Sequence, residues 1–315
     1  MAPPSAPAQK DSRPPTRRAA RPLQPYLLST PALAVIALLF LVPSVYNVVL
    51  AFQSLSPYQS PRDGEWVGAE NFSELWSNGD FGGAAVNTVV WLTAMTVVLR
   101  LLIGLALALA LQSPVLRRWK LRGVSRTIIL IPWMVPQVVA IAAWRWILDG
   151  SSGVLNQALT GLGLVENGIP FLAQTSTVWW SIVAIIVWRE LPFVVMVLMA
   201  GLQSIPSEQY EAASVDGAGR WTSFRSVTLP GLRPVITIVV LVTVIQTFNN
   251  FVYVWLTTGG GPGRYTAVLA TELYNAAFFD NELGAAAAIG LVMTAIMAVF
   301  AVAYMRLTSD REETR

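Results

Sequence analysis

Six long apolar runs, separated by short polar segments, constrain this chain more than any other feature. They lie at about residues 27–52, 84–111, 125–148, 176–202, 234–256 and 284–307. A helix needs about 20 apolar residues to cross a bilayer, where hydrocarbon offers no partner to a backbone N–H or C=O. Each run reaches that length. The sequence therefore predicts an all-α integral membrane protein with six transmembrane helices. Only 12% of its 315 residues are charged, about half the share in a soluble domain. The connecting segments are too short to fold as a separate soluble domain.

Residue types narrow the chemistry. The chain has no Cys and no His. Thiolate chemistry, the commonest general base and the commonest metal ligand are therefore excluded. Lys10 and Lys120 are the only lysines, and neither follows the glycine pattern of a phosphate loop. No catalytic residue, metal site or cofactor is expected on this chain. If ATP drives it, the nucleotide and its Mg belong to another subunit. Residues 1–25 are rich in Pro and Arg and predict a disordered basic tail. Residues 26–315 form the transmembrane domain. The run after the tail is too long for a cleaved signal sequence and reads as a first span bent near Pro43.

Basic residues set the orientation. They gather in the tail, in the second connection (Arg117, Arg118, Lys120, Arg122, Arg126), in the fourth (Arg220, Arg225, Arg233) and at the C-terminal end (Arg306, Arg311, Arg315). The opposite connections hold only Arg62 and Arg264. Six spans with both termini in the cytoplasm fit this bias. Asn71-Phe72-Ser73 lies on the outer side, in a predicted short helix. It matches a glycosylation sequon, a pattern that often arises by chance.

The fourth connection, residues 204–233, is the longest polar interruption in the C-terminal half. Ser207 is a candidate helix cap, and Glu208 and Glu211 suit a helix start. Asp216-Gly217 is a turn signal. Trp221 and Phe224 share a helical face, Pro230 should stop the second helix, and Pro234 should open the next span. The residues leave two readings open: a docking knob for a partner's groove, or a loop that merely joins two spans.

Glu211-Ala212-Ala213, then Asp216-Gly217-Ala218, with Phe224 and Leu229-Pro230 following, resembles the EAA loop of binding-protein-dependent ABC importer permeases, which have the MetI-like fold. Pro31-Ala32-Leu33, Val67–Phe72, Pro132-Trp133, Trp144–Trp146, Gly201–Pro206 and Thr258–Pro262 are similar to the carbohydrate branch, in the subunit type of the maltose (MalF) and glycerol-3-phosphate (UgpA) importers. The resemblance covers all but the tail. It implies a prokaryotic cell-membrane permease that forms half of a translocation pathway. The implied partners are a second related permease, two ATP-binding subunits and an extracytoplasmic solute-binding protein. The nine EAA-loop residues would then form the coupling helix.

Polar residues inside the membrane are the remaining candidates. Gln246, Asn249, Asn250 and Tyr253 fall on one face of a continuous fifth span and are expected to line a substrate pathway. The alternative is hydrogen bonding between helices, each bond contributing about 0.6 to 2 kcal/mol. Arg189 and Glu190 are adjacent in the fourth span and are not expected to pair. Arg100 shares a face with Thr93 and Thr96. Arg145 should snorkel at its span's end, flanked by interfacial Trp144 and Trp146. Thr257–Gly263 reads as a flexible outer loop. No strongly basic outer cluster favours a phosphorylated substrate, which points to a neutral sugar. A secondary transporter or channel is the alternative, although it needs no docking knob. A membrane enzyme is disfavoured by the missing chemistry, and nothing suggests nucleic acid.

Overall fold

The computed structural model describes residues 24–60, 63–77, 79–113 and 122–309. The basic tail lies outside these residues except for Gln24 and Pro25, which begin the first helix. Arg117, Arg118, Lys120, Arg311 and Arg315 also lie outside them. The chain divides into Met1–Tyr46 and Asn47–Arg315.

The first span runs through Gln24–Ile36, a π-helical turn Ala37–Leu41, and Val42–Leu50. The wide turn ends just before Pro43, whose missing N–H breaks the regular ladder.

In the second unit, a two-stranded hairpin pairs Gln53 with Trp66 and Ser54 with Glu65. The short helix predicted around Asn71-Phe72 is present as Glu70–Ser77. Asn71 is buried there, and its amide donates to Ala51 O at 2.9 Å and Gln53 O at 3.0 Å. That nitrogen holds the hairpin and is not presented for glycosylation. Four further spans follow: Gly79–Leu111, Val178–Gln203, Arg220–Phe248 and Leu283–Arg306.

The third run is not one helix. Gly123–Met134 and Gln137–Ile147 meet at 96°. Pro136 sits at the break with φ −54° and ψ 137°. It has no N–H to donate and bars Val135 from the helical region, so the bend is local chemistry. An apolar run cannot reveal it, because both halves are equally greasy.

Span four is the centre of the packing. Of its most apolar window 56% is buried, against 28–33% for spans two, five and six. Toward its start Trp179, Ile182, Ile185 and Ile186 pack with Leu92, Ile141 and Tyr253. Toward its end Val194, Leu198 and Leu202 pack with Ala108, Leu232 and Val239. Gly104 lets span two close on it, since a Cβ there would meet Val194 Cγ1 at 2.8 Å. Arg189 and Glu190 fall between the two apolar clusters.

Candidate functional site

The polar interruption folds as two helices, Ser207–Val215 and Arg220–Ser223. Pro206, rather than Ser207, occupies the N-cap, and no side chain caps this helix. Gly217 N–H reaches Ser214 O at 3.1 Å, and Ala218 N–H reaches Ala213 O at 2.9 Å. This pair of bonds is a Schellman closure. It needs a left-handed residue, and Gly217 supplies φ +77°. Glu211, Ala212, Asp216 and Gly217 are exposed, whereas Ala213 and Ala218 are half-buried. Val215 and Trp221 add apolar surface, 89% and 72% exposed. Trp221 stacks on Phe224 with centroids 5.5 Å apart.

Pro230 does not stop the second helix. Arg220–Phe248 is one helical span, with a π-helical turn at Phe224–Thr228. Leu229 and Pro230 begin the next α-helical stretch, and Pro234 lies within it. The widened turn just before Pro230 accommodates the proline without ending the helix. The Tyr210 and Thr228 hydroxyls meet at 3.0 Å and tie the knob's first helix to that turn.

Span five breaks after Phe248 and resumes as Val252–Thr257. The four polar residues expected on one continuous face are therefore divided. Asn250 Oδ1 accepts from Tyr253 N–H at 3.2 Å and from Gln137 Nε2 at 3.3 Å. The break in span five thus bonds to the first residue after the bend in span three. Asn side chains compete with the helix ladder for such donors, which explains the break here.

Beside it lies a cavity of about 370 Å³ lined by Arg100, Trp133, Ile186, Arg189, Glu190, Phe193, Gln246, Thr247, Asn250 and Tyr253. Three of the four predicted residues line it. Asn249 does not; it is exposed and bonds back to Ile245 O at 3.0 Å. Arg189 and Glu190 pair with each other, contrary to expectation. Adjacent positions lie only about 100° apart on a helix, and these two long side chains close that gap. Glu190 Oε1 also accepts from Tyr253 Oη at 2.8 Å. Arg100 donates from Nε to Thr96 O at 3.2 Å and from Nη2 to Thr247 Oγ1.

At the far end of span five, Arg145 Nη1 donates to Leu256 O at 3.1 Å and so caps Val252–Thr257. Trp144 packs edge-on against Trp188. The Gly-rich loop is held, not free. Thr266 Oγ1 reaches Gly261 O at 2.7 Å, and Asn87 Nδ2 donates to Tyr265 O and Ala267 O, each at 2.9 Å. Arg264 pairs with Asp80 at 3.1 Å and with Glu272. Burial pushes the Glu272 carboxyl above its usual range, against the pull of Arg264.

Residues 100–311 match the family described as "Binding-protein-dependent transport system inner membrane component". The chain belongs to this permease family.

A probable ABC transporter permease of Brucella suis is 35% identical to it over 292 residues, 92% of this chain and 98% of that protein. The diacetylchitobiose uptake permease DasB of Streptomyces coelicolor is 34% identical over 92% of this chain and 88% of its own length. A solved bacterial alginate importer chain has the same fold, with TM-score 0.75 at 24% identity, covering 90% of this chain and 95% of that one. The permease is an inner-membrane protein of this family. Its cavity residues Arg100, Trp133, Phe193 and Tyr253 come from four different stretches of chain. No spacing rule on a single helix assembles them.

Proposed function

We infer that this permease is a subunit of an ATP-driven, binding-protein-dependent importer and forms half of a pathway for a carbohydrate. One observation carries the reading: the knob and the cavity share a helix. Arg220–Phe248 begins in the EAA loop and ends beside Asn250, so a push on the knob reaches the cavity wall through a single rigid element. The sugar class is supported by the diacetylchitobiose relative and by the lining itself. Gln246, Asn250 and Tyr253 offer neutral donors and acceptors for hydroxyls, and Trp133 and Phe193 offer ring faces.

On this reading the basic side is cytoplasmic. The Glu211–Pro230 knob docks on an ATP-binding subunit, which holds the nucleotide and Mg, and this chain does no hydrolysis. Two such subunits, a second related permease and an extracytoplasmic solute-binding protein complete the machine. Co-purification tests the assembly: the solubilised permease should bring down an ATPase and a second permease. Uptake tests the pathway. Asn250→Ala and Tyr253→Ala should each lower it while the ATPase stays bound, and Asn249→Ala should do less. A chain that purifies alone, or uptake indifferent to all three changes, defeats the reading in favour of an uncoupled transporter.

A further inference from the structure

The cavity holds more positive charge than negative. Its ionised side chains are Arg100, Arg189 and Glu190. Arg100 is only 2% exposed. Its Nε and Nη2 reach neutral oxygens, those of Thr96 and Thr247. Glu190 spends its hydrogen bonds on Arg189 Nη1 and Tyr253 Oη, and its single negative charge acts on both Arg189 and Arg100. Among the described residues no carboxylate pairs with Arg100. Arg189 Nε is buried and has no hydrogen-bond partner.

Ionised groups inside a membrane pair with a counter-charge or face water, and a buried charge without its partner is a standing cost. A guanidinium presents five donors in a plane that match the oxygens of an acid group. Here one positive charge is left over beside a space of ligand size, where three aromatic side chains and two amides already suit a sugar.

We propose that the cavity takes a monoanionic carbohydrate, its acid a carboxylate or a sulfonate, which supplies the counter-charge to Arg100 and accepts from Arg189 Nε. This rests on the cavity being the pathway. A phosphate monoester fits less well, because it carries about −1.5 to −2 at neutral pH and would leave the cavity negative. The neutral sugar suggested by the sequence is revised for a spatial reason: Arg100 and Arg189 belong to different spans and line one cavity only through packing.

The test is equilibrium binding to the complete, detergent-purified importer. The probes are glucose, glucuronate, 6-deoxy-6-sulfoglucose and glucose 6-phosphate. One or both monoanions should bind about tenfold or more tightly than glucose at low salt, the scale of one charge-assisted contact. The two monoanion arms identify which acid group is preferred. The advantage should shrink as salt rises and fall to near parity in Arg100→Gln. Three results overturn the proposal: glucose binding as tightly as the monoanions, no binding of either monoanion, or a preference that survives both Arg100→Gln and high salt. If Arg100→Gln fails to assemble, the salt series on the unaltered complex decides. If an acid of the second permease already neutralises Arg100, no preference appears and the proposal falls. Failure of the pathway reading itself shows separately, as uptake indifferent to Asn250→Ala and Tyr253→Ala.

Discussion

Gly217 shows how much one residue decides. A Cβ at this position would meet nothing within 4 Å, so space is not the constraint. The constraint is φ +77°, which costs an ordinary L-residue about 1–2 kcal/mol and a β-branched one more. Substitutions should therefore grade by backbone tolerance rather than by size. Gly217→Asn should keep most ATPase binding and coupled uptake, Gly217→Ala less, and Gly217→Val least. Equal behaviour of Asn and Val, measured as ATPase retained and solute moved per ATP hydrolysed, would separate the turn from coupling. Asn156 is a residue whose part is structural. It is 2% exposed, donates to Asp149 O and Ile169 O at 2.9 Å, and accepts from Ile169 N–H at 2.9 Å. Asn156→Ala should cost about 1–3 kcal/mol by leaving buried backbone groups unpaired. That loss would appear as a lower melting temperature in detergent with the EAA knob intact. The turn at Gly217 was legible in the sequence because Asp-Gly is a local signal. The pairing of Arg189 with Glu190 was not, because it depends on where two long side chains turn.

Among the elements, spans four and five meet through glycine. A Cβ on Gly201 would lie 2.8 Å from Val235 Cγ2, and one on Gly231 would lie 2.8 Å from Ile205 Cδ1. These contacts set how closely the root of the knob approaches the central helix. Gly231→Ala should destabilise the fold by about 1–3 kcal/mol through overpacking, and Ile205→Val should recover part of the loss by removing the clashing Cδ1. A double-mutant cycle in thermal unfolding checks the coupling, and purely additive effects would place the strain elsewhere. Element number was legible from hydropathy, since any helix through hydrocarbon must be long and apolar. The π-helical turns, the 96° bend at Pro136 and the gap after Phe248 leave the apolar period nearly unchanged. They follow from missing N–H groups and competing Asn side chains, whose effect depends on neighbouring helices. The face assigned to Gln246, Asn249, Asn250 and Tyr253 assumed one unbroken helix, which is why Asn249 alone was misplaced.

For the whole molecule, orientation is the quantity that gives every other feature its meaning. On the proposed reading, the same fold inverted in the bilayer would hold the knob away from any ATP-binding subunit. Basic residues are retained on the cytoplasmic side during insertion; Arg220 and Arg225 lie in the knob and Arg233 just after it. By contrast Asp63, Glu65, Glu70 and Glu74 crowd the segment around the hairpin. The chain contains no cysteine, so single cysteines can be introduced without first clearing a background. Cysteine at Gly219, exposed between the two knob helices, should be blocked by a membrane-impermeant maleimide only after cells are opened. Cysteine at Tyr58, 85% exposed near the hairpin, and at Asp280, exposed after the helix Leu269–Phe278, should react in intact cells. An odd number of crossings between Tyr58 and Gly219 is needed for that result. The broken third run must therefore cross as a bent span rather than re-enter the side it left. If positions 58 and 219 label from the same side, the third run is re-entrant, and the coupling knob and the outer hairpin cannot serve opposite partners.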